Sequence, residues 1–473
     1  MKSFNWTIIG IADVALILTA LPAAAQLPLW GGQLTGGLES DMALYRGGSF
    51  AANNYLKLDY VNGRFSAGLQ AEYYPDPLLG YDFNLKGIGL PEKYVAWTDR
   101  TWSLTAGDFY DQFGSGLILR SWEDRDLGWN NSIGGGRFTW RTSDDVLSLK
   151  VLGGFTRKYL WYSSEKLAGA GFGLRPLDGL SLEGSAVVRD YGAGAGWSFS
   201  LLSEYAVGGF VGRAEYVGKR DGNAQSAELL FAAGRFSSSL TLRRLKNMYD
   251  PMGMNYLPSL CMEQSYMLAA LNPYTTFAAG EAGGAADLFY RQGSWRFHAN
   301  GSWIMSLPSA LKNFDVLRLA YRDINVEVEK RWNRRLKTVA FVSIQENSPT
   351  HGDRKATNAQ NVFVLDGVYR GSGKLSYRLQ AQYLYSQELT RDWVAAEAEI
   401  SSTDGWSVHV QDMYNHGSTH EHYYDAGLSW SRGGLKIDVS YGHQRAGLVC
   451  SGGVCRWQPE YTGAMLRLVY KIQ

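Results

Sequence analysis

The sequence predicts an all-β protein: a transmembrane antiparallel up-and-down β-barrel of about 24 strands, range 22 to 26, with both termini on the periplasmic side. Three observations predict it. Segments of about ten residues alternate apolar and polar positions, the connections between them alternate short and long, and the strand number that results is even.

The alternation is legible residue by residue. Leu435, Ile437, Val439 and Tyr441 share one face, and Lys436, Asp438, Ser440 and Gly442 share the other. Leu375 to Tyr385 and Leu180 to Arg189 split the same way. A soluble sandwich would also alternate, so the connections decide. Tight turn sequences stand at 62–64, 99–100, 143–144, 177–179, 208–209, 234–235, 293–294, 333–334, 371–373, 403–405 and 432–434. Longer stretches stand between and around them, at 46–53, 76–91, 113–133, 158–166, 190–195, 219–224, 247–282, 306–312, 347–358, 387–391, 415–420 and 444–459. Eleven short and twelve long connections join 24 strands. Sandwiches give no reason for that asymmetry, whereas a barrel in hydrocarbon must close so that no backbone edge is left unpaired. One stretch breaks phase: Leu317, Leu319 and Tyr321 give way to Ile324, Val326 and Val328, which requires a bulge near Arg322-Asp323 or a turn there.

Composition agrees. The 473 residues hold only 12 Pro and no linker-like stretch, which argues for one large unit. A net charge of +1 disfavours nucleic acid as a partner, and 45% hydrophobic residues disfavour disorder. Residues 1–25 read as a secretory leader, with Lys2, an apolar run over Ile8 to Leu21 and Ala23-Ala24-Ala25 before the cleavage point. Residues 26–473 are then a single barrel domain.

Alternation places Lys57, Asp59, Lys150, Glu183, Arg213, Glu215, Arg243, Arg378, Glu397, Glu399, Lys436, Asp438 and Arg467 inside. Such charges either form paired ladders that support a wide interior, the preferred reading, or set a selectivity field along a solute path. No folded plug precedes the first strand pattern near Leu34, so a plug has to come from loops or from a partner. Residues 107–136 are the internal candidate: Asp108, Asp111, Arg120, Glu123, Asp124, Arg125 and Asp126 lie there among aromatics. Mixed charge is costly against lipid, about 2–4 kcal/mol for a mid-bilayer Arg or Lys, which favours a place inside or above the lumen. An exposed, solvated loop is the alternative. Within this segment 113–133 is the candidate constriction, and 247–282 is a second loop of interest.

The second loop, with Met252, Met254, Met262, Met267 and Cys261, is apolar for a free loop. It could fold over the pore, dock a partner protein or lie against its own wall, the last being favoured. Cys450 and Cys455 flank Ser-Gly-Gly-Val in the final long loop and are expected to form a disulfide, a metal pair being the weaker reading; Cys261 is the odd thiol. His416, His420 and His422 are the metal-like constellation. A wet loop with scattered histidines is the commoner arrangement, so no metal and no cofactor is expected. No Gly-x-Ser-x-Gly elbow or His-Glu-x-x-His motif is present, so no enzyme is expected.

At residues 107–136 and at Gln444 to Arg456, with its Cys-Ser-Gly-Gly-Val-Cys-Arg element, the chain resembles a family of uncharacterised outer-membrane barrels of Bacteroidota. The resemblance runs over the mature chain and implies location and fold, with no activity attached. The ending Tyr470-Lys471-Ile472-Gln473 departs from the terminal aromatic that barrel-insertion machinery usually reads. The expected function is a channel or transporter for small solutes, narrowed by an inward loop, in contact with outer-membrane lipid and its insertion machinery. The alternative is a barrel plugged by its loops or a partner, serving an export, assembly or adhesion complex, with 247–282 as the docking loop.

Overall fold

The computed structural model describes residues 27–311, 316–354, 357–388, 391–451 and 454–472, so the expected leader lies outside the described residues. Strands run from Gly32–Tyr45, Phe50–Asn62 and Phe65–Tyr74 through to Leu435–Gln444 and Tyr461–Ile472, each antiparallel to the next. The last pairs with Leu435–Gln444 on one side and with Gly32–Tyr45 on the other, which closes the barrel. The main sheet's 25 strands are the 24 of the barrel and the short Leu27–Leu29, which folds back on Gly32–Tyr45. Among the described residues no helix is long and apolar enough to cross a membrane. Crossing falls to the strands, whose backbone groups are all paired by closure.

Alternation sorts the side chains as a membrane requires. Leu365 and Leu379 point outward with 67% and 66% of their surface exposed, far more apolar exposure than a face in water would carry. Outward rings gather near the short turns (Trp97, Trp140, Tyr205, Phe236, Trp295, Tyr377) and again near the long loops (Tyr73, Trp197, Trp303, Tyr383, Tyr441). On Leu375–Tyr385 the two bands are Tyr377 and Tyr383, about 20 Å apart along the strand, with Leu379 and Ala381 between them.

Two connections differ from the expectation. The stretches 158–166 and 219–224 are two-residue turns, at Tyr159-Leu160 and Arg220-Asp221. The polar residues 162–166, which resembled a loop, belong to the 17-residue strand Trp161–Leu177, so polarity there does not mark a loop. The phase break is a bulge at Ala320, where Tyr321 pairs with Ile304 and Leu319 with Met305. Arg322 and Asp323 stay within the strand Arg318–Arg331.

Candidate functional site

The long connections on one side fold back into the barrel. Residues 110–132 descend along the wall, and their apolar side chains Phe113, Leu117, Ile118 and Leu119 are buried against Val187, Val217 and Leu245. The Phe113 ring lies flat on two wall glycines: a Cβ at Gly169 or Gly171 would come within 2.6 or 2.9 Å of it. Wall charges hold the descending backbone. Lys150 donates to Asp111 Oδ1 at 2.7 Å and to the Gln112 carbonyl at 3.0 Å, Glu183 accepts the Gly114 N–H at 3.1 Å, and Glu215 accepts from Ser115. Arg137 also pairs with Asp111, at 3.3 Å. Lys150 is the fourth residue of Leu147–Lys158 from the short-turn end, so the segment reaches deep into the lumen.

Its far half crosses to the closing seam. Arg125 pairs with Glu39 at 2.8 Å and Glu123 at 3.4 Å and lies 4.6 Å over the Tyr55 ring. Arg467 meets Glu39, Asp41 and Asp126 together. Asp124 caps the turn by accepting the Leu127 N–H, and Arg120 stacks 3.9 Å over Tyr256, a residue of the second loop. Tyr81 donates to the Arg125 carbonyl at 2.9 Å; burial pushes its hydroxyl up to about 12, so the donor keeps its proton at any physiological pH.

Asp108 departs from the lumen position read from sequence. The strand Trp102–Phe109 runs through it, so alternation turns Phe109 inward and Asp108 outward. There it accepts from Tyr162 at 2.7 Å and pairs with Lys93 at 3.3 Å, its side chain fully covered.

Residues 247–279 line the opposite half of the wall. Tyr266, Leu268, Ala269 and Leu271 are buried against Phe341, Val362, Val364 and Trp393. Tyr266 donates to Glu327, the Leu268 N–H to Gln382, and Asn272 to Gln360. The loop lies against its own wall, where Met262 and Met267 pack, while Met252 and Met254 join the cluster around the first inward loop. Two buried arginines latch it. Arg189 pairs with Asp250 at 3.1 Å and also donates to the Ile118 carbonyl, so it holds both loops. Arg243 pairs with Glu281 at 3.0 Å and donates to the Pro258 carbonyl.

The third inward element is the hairpin Gly447–Ser451 with Val454–Gln458, closed by the Cys450–Cys455 disulfide. Arg456 donates to the Asp126 carbonyl at 2.8 Å and covers the Tyr81 ring, while Arg445 donates to the Leu271 carbonyl. Cys261 sits beside Ser259 Oγ at 2.9 Å, and burial pushes its thiol up to about 12. At about pH 8 the folded barrel should therefore resist alkylation at Cys261, and Cys450 and Cys455 should react only after reduction. Mass mapping of the adducts checks this; rapid labelling of Cys261 in the folded state would refute it.

His416, His420 and His422 lie around Tyr414, with centroids 6.4, 6.5 and 4.3 Å from its ring. Among the described residues no group of three or more His, Cys, Asp or Glu is arranged to hold a metal ion. A different histidine reports on the packing of the second inward loop. His351 stacks on Phe277 at 4.6 Å, and burial lowers its pKa from the ordinary value, opposed only by the Glu281 carboxylate. The packed state favours neutral imidazole, so this contact is at full strength above about pH 6.5 and weakens as pH falls. Hydrogen-exchange protection of residues 348–354 should fall between about pH 7.5 and pH 5.5; constant protection would contradict it.

A space of about 1000 Å³ stays open beside the closing seam, and a smaller one of about 340 Å³ lies near the short turns by Phe113, Lys150 and Glu183. The larger space extends from Lys436 and Val469, next to the short turn at 433–434, to Tyr461 and Gln458 beneath the hairpin. Charges of both signs line it: Asp41, Asp126, Glu263 and Asp438 with Lys436, Arg456 and Arg467. Elsewhere on the inner wall the charges neutralise one another, as Arg213 does with Glu204 and Arg378 with Asp366 and Glu397; Glu399 stands opposite Arg378 on the same face. The latch partners Asp250 and Glu281 escaped the sequence reading. Their only signal was a carboxylate at an inward or loop position, which many residues share.

A closed barrel with a lipid-facing apolar band and loops folded into its lumen defines the outer-membrane class of transmembrane β-barrel. Within that class the chain belongs to a family of unknown function, DUF6029, which it matches over residues 8–472. No curated protein matches it. In fold it is similar to the translocation pore of the P pilus usher PapC, at 11% identity and TM-score 0.50, covering 93% of this chain and 98% of that one. It is also similar to a chain of the E. coli pilus tip assembly intermediate PapC-PapD-PapK-PapG, at 11% identity and TM-score 0.52, covering 95% of this chain and 62% of that one. At that identity the likeness is one of fold.

Proposed function

We propose that the protein is a channel or transporter for small polar solutes across the outer membrane, narrowed by its own loops 110–132 and 247–279. The observation that carries the reading is the charged space beside the seam, which follows the wall from the short-turn rim to the hairpin, past the inward loops packed on the rest of the wall. Paired charges along such a path hold water and compensate a solute's lost hydration without trapping it. The proposal includes a cleaved leader at residues 1–25, periplasmic termini, outer-membrane lipid around the girdles and delivery by the insertion machinery. Asp111, Arg120, Glu123, Asp124, Arg125 and Asp126 belong to the constriction, and Arg213, Glu215, Arg378, Glu397 and Glu399 to the inner wall.

The test is single-channel recording of the purified barrel in a planar bilayer across salt and voltage. Steady conductance is expected. A folded but silent barrel would favour the second reading, supported by the extent of loop filling: a self-plugged structural subunit of an export, assembly or adhesion complex.

A further inference from the structure

The charges along the space beside the seam are unevenly matched. Arg467 stands in register with Asp41 on one neighbouring strand and with Asp438 on the other. Its guanidinium lies 3.4 Å from Asp41 and 3.3 Å from Asp126, which the first inward loop brings across, and it also bonds Glu39. The other cations at this level are no freer. Arg125 is shared by Glu39 and Glu123, and Lys436 pairs with Asp438 at 3.0 Å. Carboxylates therefore outnumber cations at this level, and Glu263 and Arg456 add one charge of each sign.

Placement deepens the imbalance. Arg456 covers the Tyr81 ring and donates to the Asp126 carbonyl, and Arg125 lies 4.6 Å over Tyr55 with its side chain 23% exposed. Asp126 keeps 68% of its side chain exposed, and Glu263 is exposed on the second inward loop. The acidic character continues along the wall. His409, which lines the space, stands opposite Glu399 and pairs with Asp425 at 2.8 Å, while Arg378 alone serves both Asp366 and Glu397. The basic Arg370 and Lys471 stand at the short-turn ends of their strands, away from this level. Charges within about 10 Å act together on a solute at 0.1 M salt. A cleft between low-dielectric walls focuses such a field and raises the local concentration of the opposite charge.

We propose that the space beside the seam takes small cations in preference to anions, with the carboxylates of Asp41, Asp126 and Asp438 around Arg467 setting the preference. For transport this rests on the channel reading above; the sign of the field stands apart from it.

The experiment reads that sign twice, on the full mature barrel. A cysteine placed in the space by Ser440→Cys, in a Cys261→Ser background, is modified with two methanethiosulfonates of similar size, one bearing trimethylammonium and one bearing sulfonate. Relative to a free thiol in solution, the cationic reagent should react at least about threefold faster. In a planar bilayer under a potassium chloride gradient, potassium should be at least about threefold more permeant than chloride. Asp126→Asn with Asp438→Asn should bring both ratios towards one, and Lys436→Gln should raise them. Lys436 and Asp438 form a partly exposed pair, so their loss costs little stability, and circular dichroism checks the strand content of each variant. The inference is overturned if the sulfonate reacts as fast as the cationic reagent, if the ratio survives the paired Asn substitutions, or if the barrel conducts chloride as readily as potassium. A silent barrel would end the channel reading alone, because the reagent ratio still decides the sign of the field.

Discussion

Replacing residues 112–131 with a four-residue Gly-Ser linker should raise single-channel conductance by about an order of magnitude. The exchange is geometrically mild. Phe109 and Ile133 are paired across the hairpin, as are Asp108 and Gly134, so the ends the linker must join already face each other. The barrel's backbone ladder does not pass through the excised residues. What is lost is the filling: Phe113, Leu117, Ile118 and Leu119 leave the inner wall, Lys150 loses the Gln112 carbonyl, and Glu183 and Glu215 lose their loop partners and face water. Each buried apolar side chain removed costs about 1.5–3 kcal/mol of burial, so a lower melting temperature should accompany the wider pore. Unchanged conductance in a folded variant would end the constriction reading, whatever the parent's conductance.

Arg189→Met should have the largest effect of any single substitution. Its guanidinium and the Asp250 carboxylate are 5% and 6% exposed, and the same group donates to Ser198 Oγ at 3.0 Å and to the Ile118 carbonyl. Asp250 in turn accepts the N–H groups of Met252 and Met254. Removing the arginine leaves a buried carboxylate without its counter-charge, a loss of about 3–5 kcal/mol. The strain falls where both inward loops meet, so both should loosen. Limited proteolysis should cut within 110–132 and 247–279 in the variant and spare the parent, and conductance should become larger and noisier. Arg189→Met with Asp250→Asn should recover most of the protection, because removing both charges costs far less than orphaning one. Parent-like resistance in the single variant would mean that the pair does not hold the loops.

The two inward loops were legible to different degrees. Mixed charge among aromatics at 107–136 pointed away from lipid, and the methionine-rich 247–282 pointed to burial, yet neither pattern names a partner. Asp108 shows the limit: its charge suggested the lumen, but the strand continues through it and alternation turned it outward beneath Tyr162. Residues 158–166 show another, since the strand Trp161–Leu177 runs through a polar stretch that reads as a loop.

By itself the sequence determined the barrel, its 24 strands and the cysteine pair. These rest on a period of two, on turn chemistry and on connection length, all read within a few residues. Tertiary structure alone decided that the loops fold into the lumen, that Arg189 and Arg243 latch them, and that a space of about 1000 Å³ stays open beside the seam. Those contacts join residues far apart in the chain, such as Ser115 with Glu215 and Arg456 with Asp126, 100 and 330 positions away. Alternation tells a side chain which face to take; only closure of the barrel brings the partner that it meets there.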